Sequence, residues 1–250
     1  MDRESLAAGL TAISAELREQ LSLMAAASQL LERTAGSRER SYVATLNQGI
    51  CRMLRTVTRV ELAHRLTDEN EIRSFPAPMD LSPMVEKLAV VMKSVLAGAG
   101  ISLEWEVPAA LLVCGDGELL RRTVLEMVSA AAESGSSIRL SLTQCGDKAH
   151  ITVAAEGEPP ARPLVPEGLD GEEPLGLALI RRVARLHGGT LVTCLEGSLC
   201  RSLTAIIPQR LDLPRTVLQS PLVPAPTGGF DPVLVAFSHL LPESEFLPEA

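Results

Sequence analysis

Val43, Leu46, Ile50, Met53, Val57 and Val60 step along the chain by 3, 4, 3, 4 and 3 residues. That is an a/d seam of period 3.5, the spacing with which one helix buries a stripe against another. Upstream, Leu6, Leu10, Ile13, Leu17, Leu21, Met24 and Leu31 keep close to the same spacing. Thr34, Ala35, Gly36 and Ser37 interrupt the pattern between the two runs. Residues 1–74 therefore read as two long helices joined by a short turn, a helical hairpin. A two-helix hairpin cannot close its seam alone. The expected solution is a homodimer, in which Leu10, Ile13, Leu17 and Ile50, Met53, Val57 of two copies meet in a four-helix bundle. The alternative is a hairpin packed on the chain's own second domain. Every basic residue of this stretch apart from His64 is Arg, which suits i, i+4 pairing with its acids along exposed helix faces.

Past the hairpin the periodicity changes. Phe75, Pro76, Ala77 and Pro78 form a Pro-rich joint. Ser82 followed by Pro83 reads as a helix cap, with a helix running to Ala97 and stopped by Gly98 and Gly100. Residues 101–107 alternate strictly and read as a strand, and residues 111–114 as a second, short one. Asp116 or Gly117 opens a helix to about Glu133. Residues 138–142 and 150–154 alternate around Cys145, Gly146, Asp147 and Lys148, a hairpin. A Pro- and Gly-rich loop over 155–174 follows, then a helix over 175–186 stopped by Gly188 and Gly189, then a final hairpin over 190–207. The expected fold class is α+β, a two-layer sandwich over 75–209 with helices on one face of a mixed sheet.

Composition excludes several function classes. The 250 residues carry 31 acids and 23 Lys plus Arg, a net charge of −8. Nucleic-acid binding needs a clustered basic surface, so it is not expected. No apolar window is long enough to span a bilayer, and the start Met1, Asp2, Arg3, Glu4, Ser5 is not a secretory leader, so a cytoplasmic protein is expected. The five Cys and four His are scattered with no CxxC pair, which reads as reduced thiols and no metal site.

The order of elements resembles the kinase core of sensor histidine kinases, and four stretches of residues 1–208 carry the resemblance. Residues 120–133, from Leu120 through Glu126 and Ala130 to Glu133, look like the family's asparagine-box helix. Residues 151–159 sit where the first glycine box belongs. Leu175, Gly176, Leu177 and Ala178 match the last glycine box, and His187, Gly188, Gly189 and Thr190 match the turn that follows it. The resemblance implies a dimerisation hairpin followed by an ATPase-type sandwich, with ATP and Mg²⁺ as cofactors if the pocket is functional, and a response regulator or another kinase as partner.

The chain departs from that pattern at the positions that carry the chemistry. The family's acceptor pattern reads His-Glu-Leu-Arg-Thr-Pro-Leu. Here the matching residues are Ala15, Glu16, Leu17, Arg18, Glu19, Gln20 and Leu21. The frame is kept, but Ala15 offers no nucleophilic nitrogen. The two asparagine-box positions, four apart on one helix face, are Glu126 and Ala130. Glu126 retains oxygens for a hard cation and is a weak Mg²⁺ candidate, whereas Ala130 has no ligand to offer. The adenine-binding Asp of the first glycine box is matched by Ala155, followed by Glu156 and Gly157. The last glycine box has Glu172 and Pro174 in place of two glycines, ahead of Leu175 and Gly176. Pro removes an N–H that could meet phosphate. Residues 155–174 carry six acids against Arg162, a local charge of −5 that opposes an anionic ligand.

The expected function is accordingly a catalytically impaired, dimeric histidine-kinase-like scaffold in a two-component pathway. The alternatives are an active ATP-dependent kinase with divergent motifs, or an ATP-independent phosphotransferase that receives phosphate on His64, four residues past Val60 in the seam. The last stretch, 210–250, is a Pro-rich connector followed by the apolar residues 233–241. It holds Phe230, Phe237 and Phe246 of the chain's four Phe and is expected to dock as a strand or helix.

Overall fold

The structure is a computed structural model that describes residues 3–34, 36–67, 77–159, 174–197, 199–209 and 229–247. The Phe75–Pro76 part of the joint, the acidic loop at 160–173 and the connector at 210–228 lie outside the described residues. The chain divides into two compact units, Met1–Ile72 with Pro224–Ala250, and Arg73–Val223.

In the first unit, α1 (Arg3–Glu32) and α2 (Ser37–Thr67) form the hairpin. The Gly36 N–H donates to the Glu39 carboxylate three residues on, half of a capping box at the start of α2. Ser28 Oγ donates to Asn47 Oδ1 at 2.7 Å, and Asn47 Nδ2 to Glu32 Oε1 at 2.7 Å. At the other end Arg18 forms a bidentate pair with Glu61. Ile50, Leu54 and Val57 lie on the stripe between Asn47 and Glu61 and are buried inside the hairpin. Ile50 is thus a core residue of a single chain and not a dimer-face residue as its place in the heptad suggests. A 3.5-residue seam on one helix is wide enough to serve two neighbours, and α1 takes the Ile50 side. Met53, on the other side of the seam, is 45% exposed. The C-terminal apolar stretch forms the short helix α6 (Pro232–Phe237) and a 3-10 turn (Glu243–Phe246), and both pack on α2.

In the second unit, five strands form one sheet in the order β2-β4-β5-β7-β6. These are β2 (Ser102–Glu106), β4 (Ser137–Cys145), β5 (Lys148–Glu156), β6 (Thr190–Glu196) and β7 (Leu199–Pro208). The β2–β4 pair is parallel and the others are antiparallel. The helices α3 (Leu81–Ala97), α4 (Gly117–Ala132) and α5 (Leu175–Leu186) cover one face. Strand alternation follows: Ile138, Leu140 and Leu142 are buried, while Arg139 and Thr143 are exposed. Two details differ from the sequence expectation. Ala77–Asp80 is a strand, β1, antiparallel to β3 (Leu112–Gly115); Pro78 is tolerated because the ladder has only two strands. The cap of α3 is Asp80 and not Ser82. Its Oδ1 accepts from Ser82 N and, at 3.0 Å, from Leu111 N, a bond that only the tertiary fold supplies.

Candidate functional site

Ala15 sits on the exposed side of an uninterrupted α1, beside the buried Ser14. With Gln20 where the resemblance implies Pro, the helix runs straight through this region as one element. Arg18, one turn on, is committed to Glu61 and also donates to Thr58 Oγ1 at 3.3 Å. The position thus has the exposure a phospho-acceptor needs and lacks the imidazole. His64 lies across the hairpin. Its Nδ1 is 3.4 Å from Thr11 Oγ1, and its Nε2 is buried with no hydrogen-bond partner among the described residues.

The positions that the resemblance assigns to a nucleotide pocket lie on or beside α4, β5 and α5. Asp116 caps α4, accepting from Glu118 N and Leu119 N, so the helix starts firmly. Burial pushes the Glu118 carboxyl up, but Arg121 and Arg122 outweigh it and hold the group below its ordinary value. Glu126 and Ala130 follow on successive turns, both half-buried. Ala155 is 5% exposed, paired in register with Ile138. Gly157 has φ +82°, and a Cβ there would fall 2.7 Å from Ser136 Oγ. Gly135 is held as closely: a Cβ there would fall 2.5 Å from the Glu156 carbonyl oxygen. At the last position Pro174 precedes α5 with no side-chain cap, Leu175 is partly exposed and Gly176 is buried. α5 packs on α4, and α4 packs on β5. Glu172 lies outside the described residues.

Sequence reasoning missed Arg201. Its Nη1 donates to Ser134 O at 2.9 Å and Gly157 O at 3.1 Å, and its Nε to Glu196 Oε2 at 2.6 Å. One guanidinium thus ties the end of α4 to the end of β5, fixing the backbone at Gly157. Cys200 N donates to Ser134 Oγ at 2.8 Å beside it. Nothing in a linear reading singles Arg201 out, because its partners lie 44 and 67 residues away.

The His187 turn has a clear physical role. Nε2 accepts from Asp116 N at 3.0 Å, so Nδ1 carries the proton and donates to Val183 O at 2.8 Å. A Cβ at Gly115 would meet the ring at 2.9 Å, and one at Gly189 would lie 1.9 Å from Ile206 O. The imidazole therefore joins α5 to the start of α4 in its neutral form. Burial pushes its pKa below the ordinary value, against smaller opposing pulls from the Val183 carbonyl and the Asp116 carboxylate. Because the unfolded chain binds this proton more readily, its contribution is complete above about pH 6.5 and is lost as pH falls below it. His187→Ala leaves the Asp116 N–H without its acceptor, while Val183 O keeps the backbone N–H of residue 187, and should lower stability at pH 7.5 by about 1–3 kcal/mol. Urea unfolding at pH 7.5 and 5.5 checks both statements: the loss of wild-type stability on acidification should shrink in the variant.

Among the described residues no helix is long and apolar enough to cross a membrane, and no group of three or more His, Cys, Asp or Glu could hold a metal ion. No family model matches the chain. The signal transduction histidine-protein kinase BaeS of Escherichia coli K12 is 24% identical over 223 residues, which cover 82% of this chain and 47% of BaeS. The crystal structure of full-length ShkA in complex with AMPPNP superposes with a TM-score of 0.59 at 24% identity, over 79% of this chain and 44% of that one. The histidine kinase AdeS of Acinetobacter baumannii gives a TM-score of 0.51 at 17% identity, over 66% of this chain and 85% of that one. The chain thus has the core architecture of a sensor histidine kinase, a helical hairpin followed by an ATPase-type sandwich. It spans about half the length of the curated relative it matches.

Proposed function

We propose that this chain is a non-catalytic, histidine-kinase-like scaffold that works as a homodimer in a two-component pathway, binding a response regulator or another kinase through its hairpin. The observation that carries the reading is Ala15. Glu16, Leu17, Arg18 and Leu21 of the frame are kept, with Leu17 exposed, Arg18 paired to Glu61 and Leu21 buried, while the acceptor position is Ala15 and the positions of Thr and Pro are Glu19 and Gln20. A methyl group accepts no phosphoryl group. The pocket positions support the same reading. Ala130 has no oxygen for Mg²⁺, Ala155 has no acceptor for an adenine amino group, and Pro174 has no N–H for phosphate. These residues do not fit ATP with Mg²⁺, so no catalytic step is assigned to them. His64 is a poor substitute acceptor, since its Nε2 is enclosed and its Nδ1 lies against Thr11.

Incubation of the purified chain with γ-labelled ATP and Mg²⁺ is the test. No acid-labile phosphate should appear on the protein over an hour. Label that disappears with His64→Ala would establish the relocated acceptor, and label that survives it would establish an active kinase with another acceptor.

A further inference from the structure

α2 is buried on two faces, and their chemistry differs. The face toward α1 carries Ile50, Leu54 and Val57. The face toward the C-terminal segment carries the buried Gln48 and Arg55 and the exposed Arg52. Gln48 Nε2 donates to Leu241 O at 2.8 Å, Arg52 Nε to Ser238 O at 3.4 Å, and Asn47 Nδ2 to Phe246 O at 3.4 Å. Arg55 Nη2 lies 3.4 Å from His239 Nε2. The segment answers with fully buried apolar anchors: Phe237, Leu240, Leu241 and Phe246 are each at most 4% exposed.

This is the composition of an interface and not of a core. Gln48 and Arg52 satisfy the segment's carbonyls while it is docked and are readily hydrated when it leaves, so this face of α2 tolerates being uncovered. The segment is also recognised through its main chain. The carbonyls at the end of α6 and in the turn after it are taken by α2 side chains. A six-residue helix is too short to persist unsupported in water, so α6 forms where α2 receives it.

We propose that residues 229–247 are a tethered ligand, held in cis in a docking groove on α2 and released as a unit. The groove then fits a competing partner of the same chemistry: a short apolar helix with two or three buried anchors, followed by a turn that presents its carbonyls to Gln48, Arg52 and Asn47. The inference stands apart from the kinase reading, since it uses neither Ala15 nor the second unit.

The test uses the full chain and a fluorescein-labelled synthetic peptide of residues 229–247, followed by anisotropy. Covalent attachment confers an effective concentration on the order of millimolar, so the wild type should exclude the added peptide. The double variant Phe237→Ser/Leu241→Ser should release its own segment, keep the helical content of the hairpin, and bind the peptide at least about tenfold more tightly than the wild type does. Adding Gln48→Ala and Arg52→Ala should weaken that binding about fivefold or more, because two carbonyl contacts are lost. Equal binding by wild type and double variant overturns the proposal, as does a helical double variant that ignores the peptide. Loss of hairpin helicity in the double variant makes the segment a fixed part of the core and overturns it too. Weaker exclusion by wild type at lower protein concentration would place the segment on a second copy, against the assignment in cis.

Discussion

Titration of this protein with ATP and Mg²⁺ should give no saturable heat up to millimolar nucleotide. On the proposed reading, three contacts that the resemblance implies are missing at once: an acceptor at Ala155, a metal ligand at Ala130 and a backbone donor at Pro174. Each buried hydrogen bond to a charged group contributes roughly 1.5–3 kcal/mol. Allowing for non-additivity, the three remove about 4 kcal/mol or more, on the order of a thousandfold in affinity. The acids of residues 156–173 work in the same direction and add a salt dependence. Reversal should be partial and measurable. Ala155→Asp, Glu126→Asn and Ala130→Asn, with Glu172→Gly and Pro174→Gly, restore the groups the resemblance implies. Ala155 is 5% exposed, so the new carboxylate should destabilise the empty variant. Added ATP should raise the melting temperature of that variant and leave the wild type unmoved. Micromolar binding by the unmodified chain would show that these positions do not decide affinity.

The elements were legible where period and punctuation agreed. The two long helices followed from their 3-4 spacing, and β4 with β5 from alternation around Gly146, whose φ of +62° the turn requires. The site positions are read from their places in the resemblance, and the structure adds their surroundings: Ala15 is exposed on α1 and Ala155 is buried in β5. What stayed hidden was set by partners distant in sequence. Asp80 outcompetes Ser82 as a cap because Leu111 N also reaches it. His187 reads as one residue of a turn until Asp116, 71 residues away, is seen to donate to it. Arg201 has no motif at all, yet it holds the backbone of Gly157. The allocation of the seam was hidden for a different reason. A heptad repeat says that a stripe is buried, but it does not say by which neighbour, and α2 has two besides any second copy.

That allocation separates two substitutions that the heptad treats as equivalent. On α1, Leu10, Ile13, Leu17, Met24 and Leu31 are 39–57% exposed and spaced 3, 4, 7 and 7 apart. With Met53 of α2 they form an apolar face that is exposed among the described residues. A two-fold partner presents the same face, which is the requirement for an isologous contact. Completing the burial of each half-exposed side chain returns roughly 1 kcal/mol, and symmetry doubles the count. The wild type should therefore sediment as a dimer at micromolar concentration. Leu17→Glu/Met24→Glu places four carboxylates in the shared face of the dimer. It should shift the protein to monomer, at least about a hundredfold weaker in association, with helicity and melting of the hairpin nearly intact. Ile50→Glu acts elsewhere. Ile50 is 0% exposed within one chain, so a buried unpaired charge there costs several kcal/mol of the hairpin itself and should abolish its helical signal. Sedimentation and circular dichroism on the two variants distinguish these outcomes. A wild-type protein that remains monomeric at high micromolar concentration would sink the dimer, and an Ile50→Glu chain that stays helical but becomes monomeric would return Ile50 to the dimer face.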